Sequence, residues 1–305
     1  MATRSLQELF VDRLKQLDRF RKSLEGATSR RIILISAGSG MGKSWLLKRF
    51  ASEAVGQGTR SVMIDFSDGQ AYDVLTLVRR FRDSLGADHF NKLTAAINEA
   101  TAPRLVISDG GGGSSGGGIN FGSGQFGDVR IGDVAGRNII KDNLFIVQAD
   151  NPLVIQAIED RITQVFFACL DAVAASGPVL FLFDTYERTS QSSEGWSSNV
   201  TDRWITRELL TRIREGRLAN TVVVLAGRRL PDFGADWAQV VGTLPVELFT
   251  QADVSTYLRE NRGLSGLTDA EVQTLFNAVK GNPQLLGIIG DNLEQAERPN
   301  DDDDW

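Results

Sequence analysis

The chain reads Ala37-Gly38-Ser39-Gly40-Met41-Gly42-Lys43-Ser44 between a short apolar run, residues 31–35, and a helix-like segment, residues 45–54. A strand, a glycine-rich turn and the start of a helix are the setting of a phosphate-binding P-loop. Glycines let the backbone curl so that successive N–H groups point at an anion, while Lys43 reaches the β- and γ-phosphates and the Ser44 hydroxyl ligates Mg²⁺. We therefore expect residues 38–44 to bind a nucleoside triphosphate with Mg²⁺.

One position departs from the P-loop pattern G-x-x-x-x-G-K-[ST], because Ala37 stands where the pattern has glycine. Alanine keeps the backbone N–H group but disfavours positive φ. The geometry where the chain enters the loop is therefore left open, while the glycines near the phosphates remain, and we expect modest catalysis rather than lost binding. The alternative interpretation is a Gly/Ser turn followed by an ordinary surface lysine, and the flanking strand and helix disfavour it.

The composition is that of an ordinary globular protein. The 305 residues are 42% hydrophobic and 24% charged, and no apolar run approaches the length of a membrane span. The first residues lack the apolar core of a signal peptide, which predicts a cytoplasmic location. The single cysteine, Cys169, excludes an internal disulfide, and the single histidine, His89, excludes a polyhistidine metal site. We expect Cys169 to be buried and His89 to lie on the surface. The net charge of −6 does not favour generic nucleic-acid binding.

Strand-like and helix-like segments alternate along most of the chain. Residues 179–184 are continuously apolar up to a final acid, as in a strand buried on both faces of a parallel sheet. The alternation predicts an α/β fold, an open parallel sheet flanked by helices, with the site at the carboxyl ends of the strands. We predict further strands at residues 60–66, 221–226 and 243–248, and helices at residues 5–24, 71–85, 93–102, 152–176 and 204–214.

A glycine-rich segment interrupts this pattern. Residues 109–118 read Asp-Gly-Gly-Gly-Gly-Ser-Ser-Gly-Gly-Gly, which indicates a flexible linker. Beyond it, Gly127-Asp128-Val129 recurs as Gly132-Asp133-Val134, and this repeat indicates short β-strands. We interpret residues 109–141 as a small β-rich insertion, a hairpin on the main domain. The alternative is a ribbon that pairs with its copy in another subunit through an exposed strand edge.

Acidic side chains at the ends of strands supply the second half of the expected site. Asp184 ends the buried run, where a P-loop protein needs an acid that holds Mg²⁺ through water. Glu187, three residues later, is a candidate for polarising the attacking water. The alternative for both is a turn or helix-capping role, which is disfavoured for Asp184 and stays open for Glu187. Asp65, at the end of the second strand, is a weaker candidate and is better explained as a cap.

An arginine follows the strand at residues 221–226, in the turn Gly227-Arg228-Arg229. A guanidinium at this place could sense or stabilise the charge of the γ-phosphate. Neighbouring residues of an extended segment face opposite ways, so only one of the two arginines points inward. We favour Arg228, with Arg229 as the alternative.

These motifs, in their order along the chain, resemble the STAND class of regulatory P-loop ATPases, relatives of NACHT and NB-ARC proteins and of AAA+ ATPases. The resemblance covers nearly the whole chain apart from residues 109–141. Its motifs are Val11-Asp12-Arg13, the P-loop at residues 38–44, the acid segment at residues 184–187, Gly227-Arg228-Arg229 and Gly281-Asn282-Pro283.

The resemblance implies an organisation and further site residues. Phe10, Val11 and Arg13 would contact the adenine, although Asp12 replaces the usual glycine, and Pro283 would pack on the base or the ribose. Residues 251–261, 269–280 and 283–296 would be the three helices of a lid. The chain would then divide into a P-loop nucleotide-binding domain at residues 1–248, a helical lid domain at residues 249–298 and an acidic tail at residues 299–305.

The expected function is an ATP-binding, slowly hydrolysing switch with ATP, ADP and Mg²⁺ as its ligands, in which Glu187, Asp184 and Arg228 act in catalysis. Its state would set lid position and self-association for signalling, with bacterial defence or regulation as the setting. The alternatives are an AAA+ motor, a P-loop small-molecule kinase and a non-catalytic nucleotide-binding scaffold. A GTPase is disfavoured, because residues 91–94, Asn-Lys-Leu-Thr, fail the Asn-Lys-x-Asp signature. The sensor histidine and repeats usual in the class do not follow, so the chain is either part of a longer protein or a minimal core that works with separate partners.

Overall fold

A computed structural model gives the structure of residues 13–70, 72–101, 152–192 and 195–296. Three parts of the predictions lie outside these residues. They are Phe10 and Val11 near the adenine, the insertion at residues 109–141 and the acidic tail at residues 299–305.

Five parallel strands form the central sheet in the order β2-β3-β4-β1-β5. Every residue of β3 and β4 is buried, because these strands are interior and helices cover both faces of the sheet. The strands are β1 (Ile32–Ser36), β2 (Arg60–Asp65), β3 (Val179–Asp184), β4 (Thr221–Gly227) and β5 (Val241–Thr243). The predicted fold class, an α/β protein with a parallel sheet flanked by helices, is confirmed.

Helices follow each of the first strands and close the described chain. In the sheet domain they are α1 (Leu14–Leu24), α2 (Lys43–Gly56), α3 (Val74–Leu85), α4 (Asn91–Thr101), α5 (Pro152–Ala175), α6 (Val200–Trp204) and α7 (Thr211–Arg214), the last two joined by a π-helical stretch, Ile205–Leu210. After the sheet come α8 (Gln251–Thr256), continued by the π-helical stretch Tyr257–Asn261, then α9 (Asp269–Val279) and α10 (Pro283–Ala296). Short 3-10 helices occur at Ala87–Phe90, Tyr186–Thr189 and Ala235–Trp237.

Alternate side chains of the interior strands feed two separate apolar cores. On β3, Phe181 and Phe183 join the core shared with α3 and α5, while Leu180 and Leu182 join the core shared with α1 and α2. This follows from the two-residue period of a strand, whose successive side chains point to opposite faces. The strand reads as a continuous apolar run because both of its faces are covered.

The predicted strand at residues 243–248 is wrong. The strand β5 spans Val241–Thr243 and pairs with β1, and one further bond runs from the Leu244 N–H to the Leu34 carbonyl (2.9 Å). The next residue is Pro245, which has no N–H group to continue the ladder. Leu244 and Val246 are nevertheless buried in the core of α1 and α2, so their apolar pattern reflects burial rather than strand pairing.

The helices α8 to α10 pack around an apolar core of their own, and we call them the lid. Capping boxes start α8 and α9, at Thr250 and Thr268. Before α10, Gly281 has a φ of 70°, and a Cβ atom there would lie 2.0 Å from the Phe249 carbonyl oxygen. The Phe249 N–H also donates to the Gly281 carbonyl (2.8 Å). Only glycine permits this turn, which sets the place where α10 begins.

Two predictions about single residues are confirmed. Cys169, on α5, is buried in the core between that helix and the sheet, and His89 is exposed. None of the helices in the described part of the chain is both long enough and apolar enough to cross a membrane.

Candidate functional site

The P-loop connects β1 to α2 at the carboxyl edge of the sheet. Gly40 and Gly42 have φ values of 75° and 84°, which glycine adopts without strain. The Lys43 ammonium lies across the loop and donates to the carbonyls of Ala37 (2.8 Å) and Gly38 (2.7 Å). Burial lowers the pKa of Lys43, as desolvation disfavours its charged form. An anion bound in the loop would restore a charged partner to this lysine.

Ala37 does not need the conformational freedom of glycine. The described non-glycine residues with positive φ are Arg13, Thr185 and Lys280, so Ala37 is not one of them. Its N–H donates to the Gly227 carbonyl at the end of β4 (3.2 Å), which anchors the start of the loop to the neighbouring strand. The entry to the loop therefore does not require glycine at residue 37.

Asp184 and Ser44 face each other beneath the loop. Asp184 is only 2% exposed, and its carboxylate accepts hydrogen bonds from the Ser44 hydroxyl and from the Thr185 N–H (2.8 Å). Burial raises the pKa of Asp184 above its usual value, although these two bonds act in the opposite direction. A cation bound here would supply the missing opposite charge.

The donors fit Mg²⁺ better than a metal that needs a full protein cage. A hydroxyl and a carboxylate are hard oxygen ligands, the type that Mg²⁺ prefers. The described residues contain no cluster of three or more His, Cys, Asp or Glu side chains that could hold a metal. Mg²⁺ keeps several waters and takes phosphate oxygens as ligands, so Ser44 and Asp184 can be its protein partners.

Glu187 lies in the 3-10 turn after β3 and is held by Arg228 at the end of β4. Its Oε1 accepts from the Arg228 Nε (2.8 Å), and its Oε2 accepts from the Arg228 backbone N–H (3.0 Å). Glu187 is 7% exposed. Burial alone would raise the pKa of Glu187, but the bonds from Arg228 outweigh burial and hold that pKa below its usual value. The group is therefore a carboxylate, ready to accept a proton but engaged by a cation.

Gly227 lets this carboxylate approach the backbone of β4. A Cβ atom at residue 227 would lie 2.6 Å from the Glu187 Oε2 and 3.0 Å from the Arg229 carbonyl oxygen. We predict that Gly227→Ala displaces the Glu187 carboxylate and slows ATP hydrolysis by about 100-fold, since a misplacement of about 1 Å at a reacting group costs that much. Steady-state turnover with a coupled phosphate assay measures the effect.

The matched control for this prediction is Gly56→Ala. A Cβ atom at residue 56, in α2, has no neighbour within 4 Å. This variant is expected to turn over like the original chain. Equal turnover of both variants would mean that the carboxylate position next to Gly227 is unimportant.

The two arginines after β4 have different surroundings. Arg228 lines the cleft and contacts Glu187, whereas the Arg229 guanidinium donates to the carbonyls of Ser192 (3.0 Å) and Gly195 (3.3 Å). Of the two arginines, Arg228 is therefore the one bonded to an acid of the site, and it is the one that we favoured from the sequence.

The lid contacts the P-loop directly. The Gln284 N–H, in the first turn of α10, donates to the Gly40 carbonyl (3.1 Å). The Asn282 Oδ1 accepts from the N–H groups of Gln284 (2.9 Å) and Leu285 (3.2 Å) and so caps the helix. A Cβ atom at Gly42 would lie 3.7 Å from the Pro283 Cβ, so the proline packs over the loop. The lid and the loop thus form the two walls of one cleft.

Arg13 also lines the cleft. It is 5% exposed, donates to the Glu247 carbonyl (2.6 Å) and places its guanidinium carbon 5.2 Å from the centre of the Phe249 ring. Arg13 and Phe249 both line the cleft, which is the region where the resemblance expected the adenine.

The cleft encloses about 680 Å³, a volume typical of small-molecule sites. The structure brings most predicted site residues to it, namely Arg13, Ser39, Gly40, Met41, Gly42, Lys43, Ser44, Asp184, Glu187, Arg228 and Pro283, while Gly38 contributes its carbonyl to Lys43. Val11 lies outside the described residues. The cleft is also lined by residues outside the predicted set, namely Trp45, Leu46, Ser67, Thr185, Arg188, Phe249, Tyr257, Arg262, Gln284, Gly287, Ile288 and Asp291.

For two of these additional lining residues, the spacing along the sequence could have indicated their position. Gly287 and Asp291 follow Pro283 at intervals of four residues, which places all three on one face of α10. Arg262, by contrast, follows the π-helical stretch of the lid, where it donates to the Tyr257 hydroxyl (2.9 and 2.6 Å) and to Asp291 (2.6 Å). No local pattern indicated that contact.

Comparisons with known proteins give low similarity. No protein-family model matches the chain, and no curated protein matches it. Solved structures of similar fold include the following three. One is a signal transduction ATPase with numerous domains (STAND) with a tetratricopeptide repeat sensor, from Pyrococcus horikoshii, at 13% identity and a TM-score of 0.46, covering 94% of this chain and 32% of that one.

The second is a DNA replication initiation factor, at 13% identity and a TM-score of 0.44, covering 96% of this chain and 67% of that one. The third belongs to a HORMA, CdnC and Trip13 complex of E. coli MS115-1, at 14% identity and a TM-score of 0.42, covering 91% of this chain and 77% of that one. The chain thus spans 32% of the length of the STAND protein.

Proposed function

We propose that this chain is an ATP-binding switch that hydrolyses ATP slowly and whose Mg²⁺-ATP state controls the position of the lid. The observation that carries the proposal is the convergence of five groups in one cleft. These groups follow the ends of three strands and line the cleft together with the lid. They are a lysine for the phosphates, a hydroxyl paired with an acid, a second acid and an arginine, namely Lys43, Ser44, Asp184, Glu187 and Arg228. Phosphoryl transfer needs these groups for positioning and charge stabilisation.

Binding begins at the P-loop. The triphosphate takes the Lys43 ammonium away from the carbonyls of Ala37 and Gly38, and the loop N–H groups hold the phosphate oxygens. Ser44 and Asp184 hold Mg²⁺, which neutralises charge on the phosphates when bound. The adenine would lie near Arg13 and Pro283, which both line the cleft.

Hydrolysis uses the second acid. Glu187 accepts a proton from the water that attacks the γ-phosphorus, while the bond from that phosphorus to the leaving oxygen of ADP breaks. Glu187 is already engaged by Arg228 at 2.8 Å, so it becomes a free base only when Arg228 turns to the γ-phosphate. This competition supports a low turnover, as expected for a switch rather than for a motor.

The switch rests on the contact between the P-loop and the lid. Because the Gln284 N–H bonds to Gly40 and Pro283 packs over Gly42, α10 responds directly to a change in the shape of the loop. A ligand shifts such an equilibrium by its difference in affinity for the two lid positions. Leu285 and Ile288 on α10 are 47% and 51% exposed, and this apolar surface supports self-association that follows the lid.

Hydrogen exchange of the original chain tests the switch. We expect the amides of Asn282 and of residues 284–287 to exchange about 5- to 150-fold differently with ADP and with a non-hydrolysable ATP analogue, the range of typical coupling between two sites. Residues 269–279, in α9, are the internal control and should exchange equally. Light scattering in both states measures self-association.

The outcomes separate the alternatives. Equal exchange with both nucleotides would contradict the switch. ATP binding without released phosphate would indicate a non-catalytic scaffold, fast turnover with an arginine supplied by a neighbouring subunit would indicate a motor, and transfer of the phosphate to a small molecule would indicate a kinase.

A further inference from the structure

Asp65 makes a contact between neighbouring strands that the sequence did not indicate. It ends β2 and lies in register with Asp184 on β3. Its Oδ1 accepts three hydrogen bonds, from the Ser67 N–H (2.9 Å), the Ser67 hydroxyl (2.7 Å) and the Thr185 hydroxyl (2.8 Å). The first two bonds form the local cap that we expected. The third crosses to the residue between the two acids of the site.

Thr185 has an unusual backbone conformation. Its φ of 53° and ψ of 39° place it in the left-handed region, which L-residues other than glycine rarely adopt. A β-branched side chain is especially unfavourable there, and such conformations persist only when the surroundings hold them. The bond from the Thr185 hydroxyl to Asp65 is an interaction that holds it.

The left-handed conformation of Thr185 separates the directions of the two acids. The Thr185 N–H donates to the Asp184 Oδ1 (2.8 Å), and the Thr185 carbonyl accepts from the Arg188 N–H (3.0 Å) in the 3-10 turn. Asp184 therefore stays beneath the P-loop, facing Ser44, while the turn carries Glu187 to Arg228. An extended residue 185 would continue the line of the strand and would not start this turn.

The charge of Asp65 strengthens its bond to Thr185. Asp65 ends β2 in register with Asp184, so its carboxylate lies at the strand end next to the residue that separates the two acids. The hydroxyl of Thr185 gains a charged acceptor, which makes a stronger bond than a neutral one.

We propose that Asp65 is a positioning residue, which holds Thr185 in its left-handed conformation and thereby sets Asp184 toward the metal position and Glu187 toward the attacking water. The proposal rests on the proposed function, because it assigns these acids to Mg²⁺-ATP. Asp65 touches neither the nucleotide nor the water in this role.

Substitutions at residue 185 separate the hydroxyl bond from the backbone conformation. Thr185→Val keeps the shape and loses the hydroxyl, Thr185→Ser keeps the hydroxyl, and Thr185→Gly loses the bond but adopts the left-handed conformation without strain. We expect Val to lower kcat for ATP hydrolysis by about 100-fold with the KM changed less than about threefold, and Ser to restore kcat to within about threefold. Gly should lower kcat less than Val, because it does not need the bond to Asp65 to keep the conformation. Thermal unfolding checks folding, and Thr185→Gly should unfold no earlier than the original chain.

Two controls test the alternative explanations. Thr274→Val makes the same chemical change in α9, where the Thr274 hydroxyl donates to the Ala270 carbonyl (2.8 Å) away from the cleft, so its kcat should stay within about threefold. Lys280→Gly relieves another left-handed residue, at φ 49° in the turn before α10, without touching the acids, and its kcat should also stay within about threefold. Turnover of Thr185→Val near that of the original chain would overturn the proposal, and so would an equal loss in Thr274→Val.

A second measurement keeps this test separate from the proposed function. If the original chain binds ATP but releases no phosphate, the hydrolytic part of that function fails. The positioning role of Asp65 is then tested by the Mg²⁺ concentration that ATP binding requires. Calorimetry with ATP should then show that Thr185→Val needs about tenfold more Mg²⁺ for half-maximal binding, whereas Thr185→Ser does not. An unchanged Mg²⁺ requirement would overturn the proposal.

Discussion

Lys43→Ala is expected to remove measurable binding of ATP in calorimetry while the chain stays folded. The ammonium now bonds to two loop carbonyls at 2.8 and 2.7 Å, so it lies inside the loop where the phosphates would bind. Each charge-assisted hydrogen bond from this ammonium to a phosphate oxygen would contribute about 1.5–3 kcal/mol, so the loss of two such bonds would weaken binding by at least about 100-fold. Half-buried Lys43 also supplies charge where water is partly excluded, which enlarges the loss.

Lys48→Ala is the matched control for this variant. Lys48 lies one turn further along α2, is exposed and does not line the cleft. It makes the same change of charge, so ATP affinity should stay within about threefold. Retained affinity in Lys43→Ala, with unfolding temperatures of both variants near that of the original chain, would remove the assignment of the P-loop.

Glu187→Gln is expected to keep ATP binding and to slow hydrolysis by about 100- to 10,000-fold. The amide has the size of the carboxylate, and its oxygen can still accept from the Arg228 N–H that now lies at 3.0 Å. An amide cannot take a proton from water, and general base catalysis typically contributes this factor. Single-turnover phosphate release measures the step, and calorimetry measures the binding.

Glu215→Gln is the control for the chemical change. Glu215 is exposed after α7 and pairs with Arg217 (2.8 Å), away from the cleft. This variant should hydrolyse ATP normally. If Glu187→Gln turned over at the same rate as Glu215→Gln, Glu187 would be a structural partner of Arg228 and not a base.

The parts of the fold that depend on residues close together in the sequence were predictable. The helix after the P-loop, the acid at the end of β3 and the three lid helices lie within a few residues of their predicted positions. The strand at residues 243–248 was wrong because apolar residues on both sides of Pro245 are buried without pairing. Periodicity reports burial, and burial alone does not require a ladder of hydrogen bonds.

The site also has a part that was predictable from local sequence and a part that was not. Lys43, Ser44 and Asp184 follow from the spacing of glycines and from an apolar run that ends in an acid. The contact of Glu187 with Arg228 joins residues 41 positions apart, and the contact of Asp65 with Thr185 joins residues 120 positions apart. No pattern within one segment indicates either pair.

The sequence by itself determined the P-loop, the buried strands and the helices, because glycine freedom and apolar periodicity act over a few residues. Only the tertiary structure decided that the Gln284 N–H meets Gly40 and that Asp65 meets Thr185. The order β2-β3-β4-β1-β5 makes strands adjacent that are far apart in the chain. Which strands pair depends on the packing of whole faces of the sheet against helices from distant parts of the chain.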